Sequence, residues 1–124
     1  MNRTELSGYI LQKYNCAAEY PWPKYPSYAV YRHKTNQKWF AVIMEIPAEK
    51  LSLGGENIEI VNLKCDPLIL GSLINDEGIY RAYHMSKTHW ISALLDGSVE
   101  DEKLKWLVDL SFSLTDKGGQ QKRK

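Results

Sequence analysis

The chain of 124 residues has no long hydrophobic run and no sign of a targeting segment. Its longest uncharged apolar stretch is WFAVIM, residues 39–44, whereas a membrane-spanning helix needs roughly 20 such residues. The first ten residues, MNRTELSGYI, lack the apolar core and the small-residue cleavage site of a signal peptide. We therefore expect no membrane segment and a cytoplasmic location.

Cysteine is scarce, and the motifs of common catalytic and nucleotide sites are missing. Cys16 and Cys65 stand far apart, and neither has a second Cys or a His at metal-ligand spacing. Free thiols in a reducing compartment are the ordinary interpretation, although the sequence does not forbid a disulfide. There is no G-x-G-x-x-G, no P-loop and no G-x-S-x-G. The sequence predicts no metal, no cofactor and a protein that is not an enzyme, leaving open a catalytic pair formed from distant residues.

A strong excess of one charge is also lacking, since the formal net charge is +1. The distribution is uneven, however: residues 1–44 carry six cations and two anions, whereas residues 95–116 carry six anions and two cations. Overall basicity therefore does not indicate nucleic-acid binding. The uneven blocks instead favour a molecule with one positive face.

Runs of β-branched and aromatic residues predict five strands, and periodic apolar segments predict three helices. The predicted order is helix, three strands, helix, two strands, helix. Strands joined by short turns favour an antiparallel α+β fold with helices on one face of the sheet. We expect one domain over residues 1–116 and a disordered basic tail over residues 117–124.

Three local sequence signals add detail to this order of helices and strands. Three prolines in EYPWPKYP, residues 19–26, exclude helix and sheet interior, so this segment, the proline strap, should lie extended across the surface. Asp66 followed by Pro67 predicts the start of the second helix, with the Asp66 carboxylate as its N-cap. In the first hairpin turn, Asn36 is suited to a left-handed conformation.

Alternation along two strands assigns their faces. In KWFAVIMEI, the predicted core face consists of Phe40, Val42, Met44 and Ile46. Trp39 then lies on the opposite, open face. In HWISALL, alternation places His89 at the rim of the helix-covered face and Trp90 on the open face. The rival assignment buries Trp90 and exposes His89.

Four segments together resemble the MmcQ/YjbR family of small bacterial proteins: WFAVIMEI, VNLKCDP, YHMSKTHWISALLDG and LVDLSFSL. The likeness extends from about Trp22 to Leu114. Its specific parts are residues 63–67 and the trio Lys87, His89 and Trp90. The resemblance implies a CyaY-like fold with a strongly bent antiparallel sheet, whose two hairpins form a "double wing" for which DNA binding has been proposed. It implies no catalytic residue.

Basic side chains mark both predicted hairpin tips. The candidate nucleic-acid contacts are Arg32, Lys34 and Lys38 at the first tip, Lys87 and His89 at the second, and Lys64 at the end of the third strand. Placed positive charge is sufficient to hold phosphates, so we expect weak, salt-dependent DNA binding. The competing interpretation is that these lysines are solvated and keep sheet edges from pairing.

Two other functions remain open at this point. A protein-interaction or chaperone-like module, or a dimer, would use the open sheet face with Trp39 and Trp90 as its partner surface. A small-molecule sensor would have its pocket beneath the proline strap.

The tail offers a first test. Its composition buries no apolar surface, and Gly118–Gly119 interrupts any helix that continues from Leu114. A chain ending at Asp116 should therefore keep the melting temperature of the full chain in a thermal denaturation experiment. A drop of several degrees would contradict this expectation. Unchanged stability with lost nucleic-acid affinity would make the tail, and not the hairpin tips, the electrostatic element.

Overall fold

The computed structural model describes residues 1–116, and the predicted tail of residues 117–124 lies outside the described residues. The helices are α1 (Arg3–Tyr14), α2 (Pro67–Leu73) and α3 (Asp101–Thr115). The strands are β1 (Ala29–Arg32), β2 (Trp39–Pro47), β3 (Asn57–Lys64), β4 (Ile79–Arg81) and β5 (Trp90–Leu94). A short 3₁₀ helix, Ala48–Leu51, follows β2. No helix within the described residues has the length and hydrophobicity needed to span a membrane.

The five strands form one antiparallel sheet in the order β1-β2-β3-β5-β4. The predicted α+β class and the order of helices and strands are therefore confirmed. The second hairpin is less regular than expected, because β4 has three residues and β5 pairs with β3 as well as with β4. The eight residues 82–89, here called the β4–β5 connection, replace the predicted tight turn.

All three helices pack on one face of the sheet, as predicted. They contribute the buried side chains Leu6, Ile10, Leu70, Leu73, Leu104 and Leu107. The sheet contributes Ile43, Leu63 and Ile91 to the same core. Each fully buried aliphatic side chain stabilises the fold by about 1.5–3 kcal/mol relative to an exposed one, so this layer dominates the stability.

The carboxylate of Asp109 joins α1 to α3. It accepts hydrogen bonds from the hydroxyls of Tyr9, at 2.8 Å, and Tyr14, at 2.5 Å, and from the ammonium of Lys13, at 2.8 Å. These contacts fix the position of α1 beside α3.

A β-bulge in β2 makes the predicted face assignment of that strand wrong. Tyr31 pairs with Ala41 and Arg32 pairs with Trp39, so Phe40 is an extra residue without a partner in β1. Phe40 and Ala41 consequently both lie on the helix-covered face, whereas Val42 belongs to the apolar cluster on the opposite face.

The hydroxyl of Ser111 in α3 satisfies the backbone groups near the bulge. It donates to the carbonyl of Phe40 at 2.6 Å and accepts from the N–H of Lys64 at 2.8 Å. Ser111 is fully buried; its bond to the Phe40 carbonyl is buried, and its bond to the Lys64 N–H is partly buried. One side chain thus connects α3, β2 and β3.

The open face of the sheet is covered in part. Its buried side chains are Val30, Val42, Met44, Ile46, Ile60 and Leu94. Trp22 of the proline strap, Leu51 of the 3₁₀ helix and Tyr83 of the β4–β5 connection pack against this cluster. The strap is attached at the sheet edge, where Glu19 and Val30 exchange two backbone hydrogen bonds.

Two buried polar side chains hold the β4–β5 connection to the middle of this face. Ser92 donates its hydroxyl hydrogen to the amide oxygen of Asn62 at 2.5 Å, and the Asn62 amide donates to the carbonyl of Tyr83 at 2.8 Å. The N–H of Tyr83 in turn donates to the Ser92 hydroxyl at 3.0 Å. Because every member is satisfied, the network fixes the position of Tyr83 at little energetic cost.

The structure confirms the predicted N-cap of α2. The Asp66 carboxylate accepts a hydrogen bond from the N–H of Leu68 at 2.9 Å, and Pro67 is the first helical residue. Asp66→Ala should lower the free energy of unfolding by about 1 kcal/mol because the cap is lost. Asp66→Asn retains a good cap and should stay near the parent value in urea denaturation. Equal losses in both variants would contradict the assignment.

Ser111 generates a second stability prediction. Ser111→Ala leaves the carbonyl of Phe40 and the N–H of Lys64 without their buried partner, which should cost about 1–3 kcal/mol. Ser72→Ala, at an exposed position of α2, is the matched control and should change little. Urea midpoints at unchanged slope measure both effects, and a Ser111→Ala midpoint equal to that of the control would exclude this role for Ser111.

Candidate functional site

The antiparallel topology brings both predicted hairpin tips to the same end of the sheet. β2 begins where β3 ends, since Ala41 pairs with Leu63, and β5 begins there too, since Lys64 pairs with Trp90. The β1–β2 turn, residues 33–38, and the β4–β5 connection therefore flank the end of β3. The cations at this end, here called the basic end, are Arg32, Lys34, Lys38, Lys64, Arg81 and Lys87.

The opposite end of the sheet is acidic. Glu45 and Glu59 face each other across β2 and β3, and the chain leaving β5 passes through Asp96 to the acidic start of α3. At this end the N-terminal ammonium pairs with Asp101 at 2.8 Å, and Arg3 pairs with Glu59 at 2.7 Å. Cations are therefore in excess at the basic end, where the carboxylates are Glu19, Asp66 and Asp116, and carboxylates are in excess at the opposite end.

Four of the six predicted contacts already interact within the protein, namely Arg32, Lys38, Lys87 and His89. The guanidinium of Arg32 binds the Glu19 carboxylate through two hydrogen bonds, of 2.7 and 3.2 Å. The ammonium of Lys87 donates to the carbonyl of Ala82 at 2.8 Å, so this side chain turns back into its own connection. Lys34 is exposed and Lys64 is half-buried, and neither side chain makes an ion pair within residues 1–116.

The first turn is docked on α3. His33 is 5% exposed, and its Nε2 lies 2.7 Å from the hydroxyl oxygen of Thr115. Its ring packs against Phe40 and Phe112, and burial lowers the pKa of His33 below its usual value. The imidazole is therefore neutral near pH 7 and belongs to the core.

The conformation of this turn differs from the predicted one. Gln37, with φ of 64°, occupies the left-handed position expected for Asn36. The Asn36 side chain instead donates to the Thr115 carbonyl at 2.9 Å and accepts from the N–H of Lys38 at 2.8 Å. A contact with a helix 79 residues away thus decides the geometry of a local turn.

The last strand follows the predicted alternation. Ile91 belongs to the helix-side core, and Leu94 belongs to the cluster on the open face. His89 is exposed, with its Nδ1 at 2.8 Å from the Thr88 hydroxyl. Trp90 is half-buried. The exposure of His89 agrees with the rival assignment, but Trp90 is not buried as that assignment requires.

A cavity of about 420 Å³ lies on the open face and adjoins the basic end. We call it the aromatic groove. Trp39, Val42 and Met44 of β2 form its floor, and Trp22 and Tyr25 of the proline strap form one wall. The sequence placed a possible pocket beneath this strap, and the structure shows a cavity there.

The opposite wall was not predicted. It consists of Tyr83, His84 and Met85 in the β4–β5 connection. His84 has a positive φ of 65°, and its ring lies 4.0 Å from that of Tyr83. The sequence contains no signal for this wall, because the Asn62 network that holds it joins residues far apart along the chain.

The two cysteines are not arranged as nucleophiles. Cys16 and Cys65 are both free and buried. Burial raises the pKa of both thiols, that of Cys65 to about 11. Within residues 1–116 no three His, Cys, Asp or Glu side chains gather as metal ligands. The basic end offers positive charge to a partner, and the aromatic groove offers an apolar cavity.

Proteins with similar sequences cover most of the chain. YyaQ of Bacillus subtilis (strain 168) is 42% identical over 116 residues, which are 93% of this chain and 98% of that protein. YjbR of Escherichia coli (strain K12) is 31% identical over 80 residues, 64% of this chain and 60% of that protein.

Solved structures show the same fold. The crystal structure of a Pseudomonas syringae protein, 44% identical, matches with a TM-score of 0.91 over 93% of this chain and 99% of that one. A Deinococcus radiodurans protein, 22% identical, matches with a TM-score of 0.71 over 94% of this chain and 80% of that one. A family model described as YjbR matches residues 11–114. The chain therefore belongs to the MmcQ/YjbR family, as its sequence segments implied.

Proposed function

We propose that the protein is a non-catalytic, cytoplasmic DNA-binding module that holds phosphates on its basic end. The observation that carries the proposal is the cluster of six cations at one end of the sheet, where they outnumber the carboxylates of Glu19, Asp66 and Asp116. Phosphate binding requires little beyond positive charge held in place. The acidic end repels a polyanion, so the protein is oriented with its basic end toward the nucleic acid.

The contacts are not equivalent in this proposal. Lys34 and Lys64, whose side chains make no ion pair within residues 1–116, are the main phosphate ligands, and Lys38 adds charge beside them. Lys87 and Arg32 contribute charge, but their side chains keep their bonds to Ala82 and Glu19. Exposed His89 adds a hydrogen-bond donor beside Lys87.

Rigidity at the first turn supports binding. His33 and Asn36 attach the turn to Thr115 at the end of α3, so Lys34 and Lys38 project from a fixed backbone. Lys64 is the last residue of β3, and its backbone N–H donates to the Ser111 hydroxyl. Positions fixed in the free protein lower the entropic cost of association.

Buried thiols support the non-catalytic and cytoplasmic parts of the proposal. A catalytic cysteine needs a lowered pKa and an accessible sulfur, whereas Cys16 and Cys65 are buried and their pKa values are raised. Free thiols are typical of reducing compartments.

The alternative is a protein-interaction or chaperone-like module, or a dimer, that uses the open sheet face. It requires a broad exposed apolar area around Trp39 and Trp90. Both rings are half-buried, and Trp39 packs edge-on against Trp22 with ring centroids 5.5 Å apart. The area available to such a partner is smaller than the sequence indicated, which favours the polyanion.

Charge reversal tests the proposal. Each of four variants should weaken DNA binding, and by a similar factor for DNA of unrelated sequences, as measured by fluorescence anisotropy: Lys34→Glu, Lys38→Glu, Lys64→Glu and Lys87→Glu. Each lost phosphate contact should reduce the log–log salt slope by about 0.9 for duplex DNA and about 0.7 for single strands. The effect of Lys87→Glu should be the smallest of the four, because its ammonium is held by Ala82.

Lys50→Glu is the matched control, because Lys50 is exposed in the 3₁₀ helix next to the acidic end. It should leave both affinity and salt slope nearly unchanged. Lys103 is a poorer control, since it pairs with Asp76. Equal effects of Lys50→Glu and Lys34→Glu, or no binding of any DNA at low salt, would exclude the basic end as a phosphate site.

A further inference from the structure

The aromatic groove is lined mainly by aromatic and apolar side chains. Among residues 1–116, no Asp, Glu, Lys or Arg lines it, and its polar lining side chains are those of Trp22, Trp39, three tyrosines and His84. Its volume of about 420 Å³ lies within the range of small-ligand sites. Such a lining favours a neutral group with a large apolar surface.

The rings of the groove orient one another. Trp22 lies nearly perpendicular to Trp39, at 89°, and to Tyr28, at 82°, with centroids 5.5 and 6.0 Å apart. Tyr25 stacks on Tyr28 at 4.9 Å and is 52% exposed. A flat ligand therefore meets ring surfaces that are already ordered, which is the arrangement that stacking requires.

Polar atoms among these rings are available to a ligand. Within residues 1–116, the indole N–H groups of Trp22 and Trp39 and the hydroxyls of Tyr25 and Tyr28 form no hydrogen bond to the protein. They can donate to acceptors on the edge of a flat heterocycle. The groove thus combines stacking surfaces with donors at their margins.

The groove adjoins the cations of the basic end. Trp39 in its floor directly follows Lys38, and Tyr83 in its far wall shares the β4–β5 connection with Lys87. A ligand that satisfies both features carries phosphates next to flat, uncharged rings. Single-stranded nucleic acid has this composition, whereas a duplex keeps its bases stacked inside the helix.

We propose that the aromatic groove binds unpaired bases of a single-stranded nucleic acid whose phosphates lie on the basic end. This inference rests on the function proposed above and specifies its ligand. The bases stack on Tyr25 and Trp39, and the neighbouring phosphates contact Lys64. Binding by stacking tolerates different bases, because every base has an aromatic face.

The test compares a labelled oligo(dT) strand with an abasic strand that carries the same number of phosphates, at one low salt concentration. The parent protein should bind oligo(dT) more tightly than the abasic strand. Tyr25→Ala should weaken oligo(dT) binding by roughly 5- to 140-fold for each stacked base lost, and should leave abasic-strand binding unchanged. Trp39→Leu should act in the same direction.

Two control variants match these changes outside the groove. Tyr20→Ala removes a tyrosine that is 59% exposed, and Trp106→Leu removes a tryptophan that is 50% exposed on α3. Neither residue lines the groove, so both variants should keep the parent affinities. Because Tyr25 is half-exposed, its truncation leaves the fold intact even if Trp39→Leu does not fold.

Each outcome bears on a different claim. Equal affinity for oligo(dT) and the abasic strand would overturn the groove assignment and leave the basic end as a phosphate site. If the charge-reversal variants of the basic end change the affinity for neither strand, both the groove assignment and the phosphate site are overturned. Tyr25→Ala that weakens both strands alike would also overturn the inference. A dimer of the free protein that Trp39→Leu dissociates would assign the groove to a second copy of the chain.

Discussion

The orientation of Trp39 and the geometry at the start of β2 depend on one bulge and on the serine that stabilises it. Phe40 is the extra residue between β1 and β2, and it lies with Ala41 beneath the helices. In a regular ladder, Trp39 and Ala41 would share a face, and Trp39 would point toward the helices. The bulge turns Trp39 to the open face, and Ser111 bonds the Phe40 carbonyl that the bulge leaves free.

The same end of α3 organises the basic end. Ser111 also holds the N–H of Lys64, and Thr115, one turn later, binds His33 and Asn36 in the β1–β2 turn. The last turn of α3 thus positions the β1–β2 turn and the end of β3. The β4–β5 connection is instead held by Asn62 on the open face. Core packing and the geometry of the candidate site are therefore not separable.

The separation of charge arises from topology more than from the charge blocks of the sequence. The first 44 residues are rich in cations, yet Arg3 pairs with Glu59 at the acidic end and Lys13 pairs with Asp109 between the helices. Antiparallel strands reverse direction at each turn, so residues distant in sequence collect at one end of the sheet. The basic end is assembled in this way from β1, β2, β3 and the β4–β5 connection.

The sequence by itself determined the order of helices and strands, the Asp66 cap, the faces of the last strand and the family. Each of these follows from neighbouring residues, through periodicity, capping chemistry or contiguous segments. The tertiary structure alone decided the bulge at Phe40, the burial of His33, the pairing of Arg32 with Glu19 and the second wall of the groove. These features depend on contacts between distant positions, whose free energy is realised only when the chain is folded.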